Sequence, residues 1–117
     1  MNRMNSKKEN RQAYKQMKFR AGVFQIRNLQ KGKCLLQTTL DLDKAFNSDL
    51  FQLKAGLHQN KELQKEWNTM GSQAFAFEIV DELKLKDDAT AIQIHRDLKD
   101  FLEMCKVELV EKGGMIY

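Results

Sequence analysis

Long apolar stretches are missing from this 117-residue chain. No run approaches the roughly 18 residues that a membrane-spanning helix needs, and there is no apolar segment of the kind found in signal peptides. These absences argue against a membrane span and against secretion. We therefore expect a cytoplasmic protein that has no membrane partner.

Cysteine and clustered metal-binding side chains are also scarce. The two cysteines, Cys34 and Cys105, lack metal-type spacing and lie among apolar neighbours, which predicts buried free thiols. No His, Cys, Asp or Glu residues recur at the spacing of a metal-ligand set. From the residues alone we expect no cofactor.

The composition is typical of one small globular domain. Hydrophobic residues make up 42% and charged residues 31% of the chain, close to globular averages. The charge is unevenly placed, because residues 1–20 hold seven basic side chains and one acidic one, a net charge of +6, whereas the rest holds 13 basic and 15 acidic residues, a net charge of −2. We therefore divide the chain into a basic helical arm, residues 1–19, and a single folded domain, residues 20–117.

The basic arm offers candidate contacts to DNA or RNA, because lysine and arginine that neutralise phosphates dominate non-specific affinity. Ser6 with Glu9 three residues later forms a capping-box pattern, which predicts a helix starting at Ser6. The alternative interpretation is a solvated terminal helix without a partner. The candidate nucleic-acid-binding residues are Lys7, Lys8, Arg11, Lys15, Lys18 and Arg20.

A β-hairpin is the first structural element that the pattern predicts. Two apolar runs, residues 21–27 and 33–38, flank a loop that ends in Gly32. The second run contains consecutive apolar residues around Leu35, which is typical of a central strand covered on both faces. Leu35 is therefore a core candidate.

Helical periodicity and capping residues place the remaining elements, and the tail, residues 113–117, is expected to be loosely held. The predicted elements are a helix over 42–54 between Asp41 or Asp43 and Gly56, a helix over 61–69 between Asn60 and Gly71, a strand over 75–80, and a long helix capped by Asp87 or Asp88. The core face of that long helix comprises Ala91, Ile94, Leu98, Phe101, Leu102, Cys105 and Leu109. The expected fold is α/β (α+β), with a small three-stranded, mainly antiparallel sheet flanked by helices.

Several short motifs, in their order and spacing, resemble the GIY-YIG nuclease family over residues 20–110. Gly22-Val23-Phe24 stands where the family carries Gly-Ile-Tyr, and residues 32–39 stand where it carries Gly-Lys-x-Tyr-Ile-Gly-x-Thr. The similarity continues through Asp41-Leu42, Asn60-Lys61-Glu62-Leu63-Gln64, Trp67, Gly71 and the strand at 75–80. The resemblance implies the family's fold and metal-assisted phosphodiester hydrolysis, in which a tyrosine region activates water, an arginine supports the phosphate and a helix glutamate holds a divalent cation.

Several of the positions that the family uses for catalysis are replaced here. The family tyrosines fall on Phe24 and Leu35, the second-strand glycine on Gln37, the helix arginine on Ala45, and a histidine of some relatives on Asp49. Phe and Leu cannot relay a proton, so general acid–base assistance of about 10²–10⁴-fold is lost. Alanine cannot offer bidentate donors to a phosphoryl group. The resemblance therefore implies a degenerate active site.

The family's metal-binding glutamate belongs on the long C-terminal helix. It falls on Leu102, or on Glu103 if the register shifts by one residue. At about 100° per residue, Glu103 points roughly 140° away from the apolar face, so we favour loss of the glutamate. His58 lies where some relatives also carry histidine, and we expect it to be a surface loop residue without a function.

Three functions are consistent with these residues. The first is a catalytically inactive GIY-YIG-like domain kept for binding, with DNA or RNA as its partner. The second is a divergent endonuclease that depends on Mg²⁺ or Mn²⁺ and uses Glu103, His58 or Lys44 in relocated roles. The third is a module that binds a protein partner or forms a homodimer through an apolar sheet face around Phe24 and Leu35. We favour the first, because the second needs several replacements at once.

Overall fold

The structure, a computed structural model, describes residues 20–117. These residues form four strands and three α-helices, with short 3₁₀ turns at Leu42–Lys44 and Ser72–Ala74. In chain order the elements are β1 (Gly22–Asn28), β2 (Lys33–Thr39), α1 (Ala45–Ala55), α2 (Lys61–Met70), β3 (Phe75–Glu82), α3 (Ala91–Glu111) and β4 (Met115–Ile116). Each of these helices is too short or too polar to span a bilayer.

The predicted hairpin is confirmed, since β1 and β2 pair in antiparallel register. The connecting turn is closed by Gly32, whose φ of 72° favours glycine and whose amide donates to the Asn28 carbonyl at 2.8 Å. The Asn28 side-chain oxygen accepts from the amides of Gln30 and Lys31, both at 3.0 Å. An asparagine that bonds the backbone two and three residues on is a common way to start a tight turn.

The sheet has four strands rather than the predicted three, in the order β3-β1-β2-β4, and it is mixed. The pairs β1–β2 and β1–β3 are antiparallel, whereas β4 runs parallel to β2. The prediction of a loosely held tail is also wrong, because the Met115 amide donates to the Gly32 carbonyl at 3.3 Å and the Tyr117 amide to the Cys34 carbonyl at 3.0 Å. A two-residue strand is too short to carry an alternating pattern, so the sequence offered no signal for it.

Helices cover both faces of the sheet. One face, here called the α3 face, presents Val23, Cys34 and Leu36 to α3. The opposite face, here called the cleft face, presents Phe24 and Ile26 to α1, α2 and the turn before α1. Leu35 is half-buried on the cleft face and Leu36 is buried on the α3 face, which confirms the two-sided cover predicted for β2.

Local capping signals predicted most helix ends correctly. Asp41 caps the 3₁₀ turn before α1 through the Asp43 amide, Gly56 ends α1 with φ 76°, and Asn60 caps α2 through the Leu63 amide. The predicted cap of α3 at Asp87 or Asp88 is wrong. Thr90 caps that helix in a reciprocal capping box with Gln93, which leaves the two aspartates in the preceding loop.

The predicted core face of α3 is confirmed except at its first position. Leu98 and Cys105 are buried, and Phe101, Leu102 and Leu109 pack half-buried against the same cluster. Ile94 is also half-buried, whereas Ala91 is exposed. The helix therefore meets the sheet only after its first turn.

Candidate functional site

A cleft of about 320 Å³ opens on the cleft face, between the last residues of β2, one side of α1 and the loop after α1. Phe24 forms part of its wall and is itself packed edge-on against Phe46, with ring centroids 5.7 Å apart. The cleft is lined by Phe24, Gln37, Thr38, Thr39, Lys44, Ala45, Ser48, Asp49, Gln52, His58 and Gln59.

The geometry of α1 explains which of its side chains enter the cleft. Ala45, Ser48, Asp49 and Gln52 are spaced i, i+3, i+4 and i+7, so they share one side of the helix. Ala45 contributes only a methyl group, which leaves room in the cleft between the helix and β2. The Gln52 amide nitrogen donates to the Ser48 hydroxyl at 3.0 Å and holds that row in place.

The end of α1 returns the chain toward the cleft. The Gly56 amide donates to the Leu53 carbonyl at 3.2 Å and the Leu57 amide to the Gln52 carbonyl at 2.8 Å, the paired bonds of a Schellman motif. The next residue is His58, whose backbone amide donates to the side chain of Gln64 on α2 at 3.0 Å. Gln64 in turn donates to the Leu53 carbonyl at 3.1 Å, so α1, the loop and α2 are tied together.

Asp49 and His58 form a buried hydrogen-bonded pair at the bottom of the cleft. Their residues are 6% and 4% exposed, and His58 Nε2 lies 2.7 Å from Asp49 Oδ1. The same carboxylate oxygen accepts from Gln37 Nε2 at 3.0 Å. The expectation that His58 is a surface loop residue is therefore wrong, because the Gln64 bond draws the loop inward.

Both ring nitrogens of His58 are engaged within the protein. Nδ1 accepts from the backbone amide of Asn60 at 3.0 Å, so Nδ1 carries no proton and Nε2–H donates to Asp49. Because neither nitrogen has a free lone pair directed at the cleft, His58 cannot take a proton from a substrate in this arrangement. Its role here is to position the Asp49 carboxylate.

The structure brings together some of the predicted site positions and separates others. Phe24, Ala45 and Asp49 line one cleft, together with Lys44 and His58. Leu35 packs instead into the apolar cluster beneath α1 and α2. The two candidates on α3 lie elsewhere.

Leu102 and Glu103 do not line the cleft. Leu102 packs on the α3 face against the cluster around Val23, on the opposite side of the sheet. The Glu103 side chain is 65% exposed and lies 3.8 Å from Lys106. The prediction that Glu103 points to solvent is confirmed.

Five residues of the cleft lining, Thr38, Thr39, Ser48, Gln52 and Gln59, were not among the candidates predicted from the sequence. Ser48 and Gln52 share the helix side of Ala45 and Asp49, and their spacing could have identified them. Gln59 follows His58 in the loop, and no sequence pattern marks it.

The side chains of the cleft do not fit a divalent cation. Among the residues that the structure describes, Asp49 is the only carboxylate in the lining, and both nitrogens of His58 are already hydrogen-bonded. Within residues 20–117, no group of three or more His, Cys, Asp or Glu side chains is placed to bind one metal ion. Mg²⁺ prefers several oxygen ligands with near-octahedral geometry, which a single carboxylate does not supply.

The candidate nucleic-acid-binding residues lie mostly outside the described part of the chain. Lys7, Lys8, Arg11, Lys15 and Lys18 belong to residues 1–19. Arg20 is described, and its guanidinium pairs with Asp43 at 2.6 Å and with Glu82 at 3.5 Å. Arg20 therefore has acidic partners within the domain.

Comparison with solved structures links this architecture to a known fold. The catalytic domain of homing endonuclease I-TevI is similar to this chain at 25% sequence identity, with a TM-score of 0.52, and the match covers 69% of this chain and 87% of that one. The fold is GIY-YIG-like. A mutant of the catalytic domain of intron endonuclease I-TevI gives 23% identity and a TM-score of 0.52, covering 71% of this chain and 84% of that one.

The resemblance expected from the motifs is confirmed at the level of the GIY-YIG-like fold. No protein-family model matches the chain, and no curated protein matches it. The likeness to the GIY-YIG fold therefore rests on the solved structures and on the order of the motifs in β1, β2, α2 and β3.

Proposed function

We propose that this GIY-YIG-like domain is catalytically inactive and binds nucleic acid. The observation that carries the proposal is the cleft beside α1, in which Gln37, Asp49 and His58 bond to one another. Phe24 and Ala45 supply no acid, base or phosphate donor, and both nitrogens of His58 are engaged.

The placement of charge supports nucleic acid as the partner. Residues 20–74, which include every residue of the cleft lining, carry eight basic and five acidic side chains, whereas residues 75–117 carry six basic and ten acidic ones. Residues 1–19 add six basic side chains and one acidic one. This uneven distribution favours approach of a polyanion to the part of the chain that forms the cleft.

The two other functions have less support. A divergent endonuclease would need Glu103 near the cleft and a free nitrogen on His58, and neither condition holds. Self-association through Phe24 and Leu35 would need an open apolar sheet face, yet Phe24 is 3% exposed and Leu35 packs beneath the helices.

The test combines a nicking assay on supercoiled plasmid, with Mg²⁺ or Mn²⁺, and a mobility shift at about 50 and 200 mM salt. We expect no nicking, and binding that weakens at least tenfold at the higher salt concentration. Metal-dependent nicking that His58→Ala abolishes would contradict the proposal and support a divergent nuclease. Absence of binding at both salt concentrations would contradict the nucleic-acid partner.

The basic arm can be tested in the 117-residue chain with a matched charge change. Replacing Lys7, Lys8, Arg11, Lys15 and Lys18 by glutamine is expected to lower affinity and the salt dependence of binding. The control replaces five basic residues of the acidic half, Lys84, Lys86, Arg96, Lys99 and Lys112, by glutamine and should leave affinity nearly unchanged. Equal losses in both variants would mean that the arm makes no particular contact.

A further inference from the structure

The floor of the cleft presents hydrogen-bond acceptors. The Asp49 side chain accepts two hydrogen bonds from the described residues, from Gln37 Nε2 and His58 Nε2, and both end on Oδ1. Every fully buried side-chain nitrogen or oxygen among residues 20–117 has a hydrogen-bond partner, and Asp49 Oδ2 has none there. Asp49 lines the cleft, so Oδ2 is the oxygen left to accept a hydrogen bond from a ligand there.

Gln37 adds a second acceptor beside Asp49. Its amide nitrogen is committed to the carboxylate, and its amide oxygen has no partner among residues 20–117. A group that binds at this floor must donate hydrogen bonds, because acceptors would face acceptors. A phosphate, which is anionic and offers acceptor oxygens, is excluded from the floor by the same reasoning.

Lys44 supplies the opposite charge at the rim of the cleft. Its side chain is exposed, lines the same cleft, and makes no ion pair with any residue of the 20–117 segment. The cleft thus combines a buried carboxylate below with an ammonium group above. A complementary ligand carries a donor group at one end and an anion at the other.

A nucleotide has this distribution of groups. Its base can present an amino group to a carboxylate, as cytosine N4 does to Asp or Glu, while the attached phosphate is anionic. A cleft of about 320 Å³ lies at the small end of ligand pockets and is too small for a base pair with its backbone. The ligand is therefore a single unpaired nucleotide.

We propose that the cleft binds one unpaired base of single-stranded nucleic acid. The amino group of the base donates a hydrogen bond to Asp49, and the phosphate of the same nucleotide lies at Lys44. The inference rests on the proposed function and names the form of nucleic acid that the domain selects. Adenine, cytosine and guanine carry an exocyclic amino group. Thymine and uracil carry none, and their one N–H lies between two carbonyl oxygens that oppose a carboxylate. The cleft therefore discriminates against thymine and uracil.

The experiment measures fluorescence anisotropy of short labelled oligo-dC and oligo-dT with the 117-residue chain at one salt concentration. We expect oligo-dC to bind roughly tenfold more tightly, the effect of one charge-assisted hydrogen bond. In Asp49→Asn the amide can accept or donate, so the preference should fall below about twofold. Asp88→Asn, an equivalent change at an exposed loop residue, is the control and should keep the wild-type preference.

The ratio of the two affinities is measured on one protein sample, so partial unfolding of a variant does not alter it. Equal binding of oligo-dC and oligo-dT by the wild type would overturn the inference and leave the proposed function standing. A preference that survives in Asp49→Asn would also overturn it. If neither oligonucleotide binds and duplex DNA does not bind either, the proposed function fails, and the inference fails with it.

Discussion

Two buried carboxylates, Asp49 on α1 and Glu66 on α2, are bonded in different ways. Glu66 Oε1 accepts from Asn28 Nδ2 at 2.9 Å and from the Tyr117 hydroxyl, and Oε2 accepts from Lys31 Nζ at 2.8 Å. These four residues, Asn28, Lys31, Glu66 and Tyr117, form what we call the clasp. Within residues 20–117, both oxygens of Glu66 accept hydrogen bonds, whereas only Oδ1 of Asp49 does.

The clasp joins parts of the chain that are distant in sequence. It connects the end of β1, the hairpin turn, α2 and the residue after β4, and its hydrogen bonds favour the charged form of Glu66. Burial raises the pKa of Glu66, but the hydrogen bonds from Lys31, Tyr117 and Asn28 outweigh it and lower the pKa to about 2. Burial and the bond to Glu66 raise the pKa of Tyr117.

Glu66 is a structural carboxylate, whereas Asp49 is available to a ligand. A carboxylate whose oxygens are both bonded within the fold stabilises the fold and has no capacity left for a partner. A carboxylate with one oxygen on a cleft keeps that capacity, at the cost of a weaker contribution to stability. A change at Glu66 should therefore lower the free energy of unfolding more than it changes binding. A change at Asp49 should affect binding more than the free energy of unfolding.

The largest expected difference is in the stability of the alanine variants. Glu66→Ala leaves the Asn28 amide and the Tyr117 hydroxyl without their shared acceptor, and we expect a loss of about 4 kcal/mol in the free energy of unfolding. Asp49→Ala exposes its former donors to a cleft that water can enter, and we expect a loss of about 1 kcal/mol. Urea denaturation measures both values.

A similar loss in the two variants would contradict the distinction between the clasp and the cleft. The control is Glu103→Ala on α3, an exposed carboxylate whose removal should change stability by less than about 0.5 kcal/mol. A large loss of stability in Glu103→Ala would indicate that removing any negative charge destabilises the protein.

The second prediction concerns acid. Glu66 has a folded-state pKa of about 2, below its ordinary value of 4.5. It therefore contributes stability above about pH 5, which is lost as the pH falls toward 2, and a shift of this size corresponds to about 3 kcal/mol. Urea denaturation between pH 7 and about pH 2.5 should reveal this decline in the wild type, and Glu66→Gln should flatten it. An unchanged pH dependence in Glu66→Gln would assign the decline to other carboxylates.

Local signals predicted much of the fold. The hairpin follows from two apolar runs and Gly32, and the ends of α1 and α2 follow from Gly56 and Asn60, because each signal involves residues within one turn of each other. The error at α3 was also local. Asp87 and Asp88 are common capping residues three and two positions before Thr90, but the reciprocal capping box of Thr90 with Gln93 sets the start of the helix.

Contacts between distant residues account for what the sequence did not predict. His58 is buried because Gln64, six residues later on another helix, bonds its backbone, and no periodic pattern reports such a contact. The clasp depends on Tyr117, which is 89 residues from Asn28. The cleft was predicted in part, since Phe24, Ala45 and Asp49 came from the family resemblance, whereas the pairing of Asp49 with His58 appears only in three dimensions.

A smaller effect is expected from removing one donor of the clasp. Tyr117→Phe keeps the ring against the apolar cluster and deletes the hydroxyl that donates to Glu66, so we expect a loss of about 1 kcal/mol. Glu66 retains its bonds from Asn28 and Lys31. Urea denaturation tests the value, and oligo-dC affinity should stay unchanged. A loss of binding in this variant would mean that the clasp and the cleft are coupled.

The smallest effect on stability is expected at Lys44. Lys44→Gln removes an exposed charge that has no ion pair within residues 20–117, so stability should change by less than about 0.5 kcal/mol. Affinity for oligo-dC and oligo-dT should fall by a similar factor, and the salt slope of single-strand binding should drop by about 0.7, because one phosphate contact is lost.

The matched control for Lys44 is Lys54→Gln, at the other end of α1. At 100° per residue Lys54 lies about 180° round the helix from Ala45, away from the cleft. It should keep the wild-type salt slope. If both lysine variants reduce the slope equally, the phosphate contact is spread over α1 and does not belong to the cleft. If only Lys44→Gln reduces the salt slope, the phosphate contact belongs to the cleft. The charged groups of the cleft then bind a ligand, whereas those of the clasp stabilise the fold.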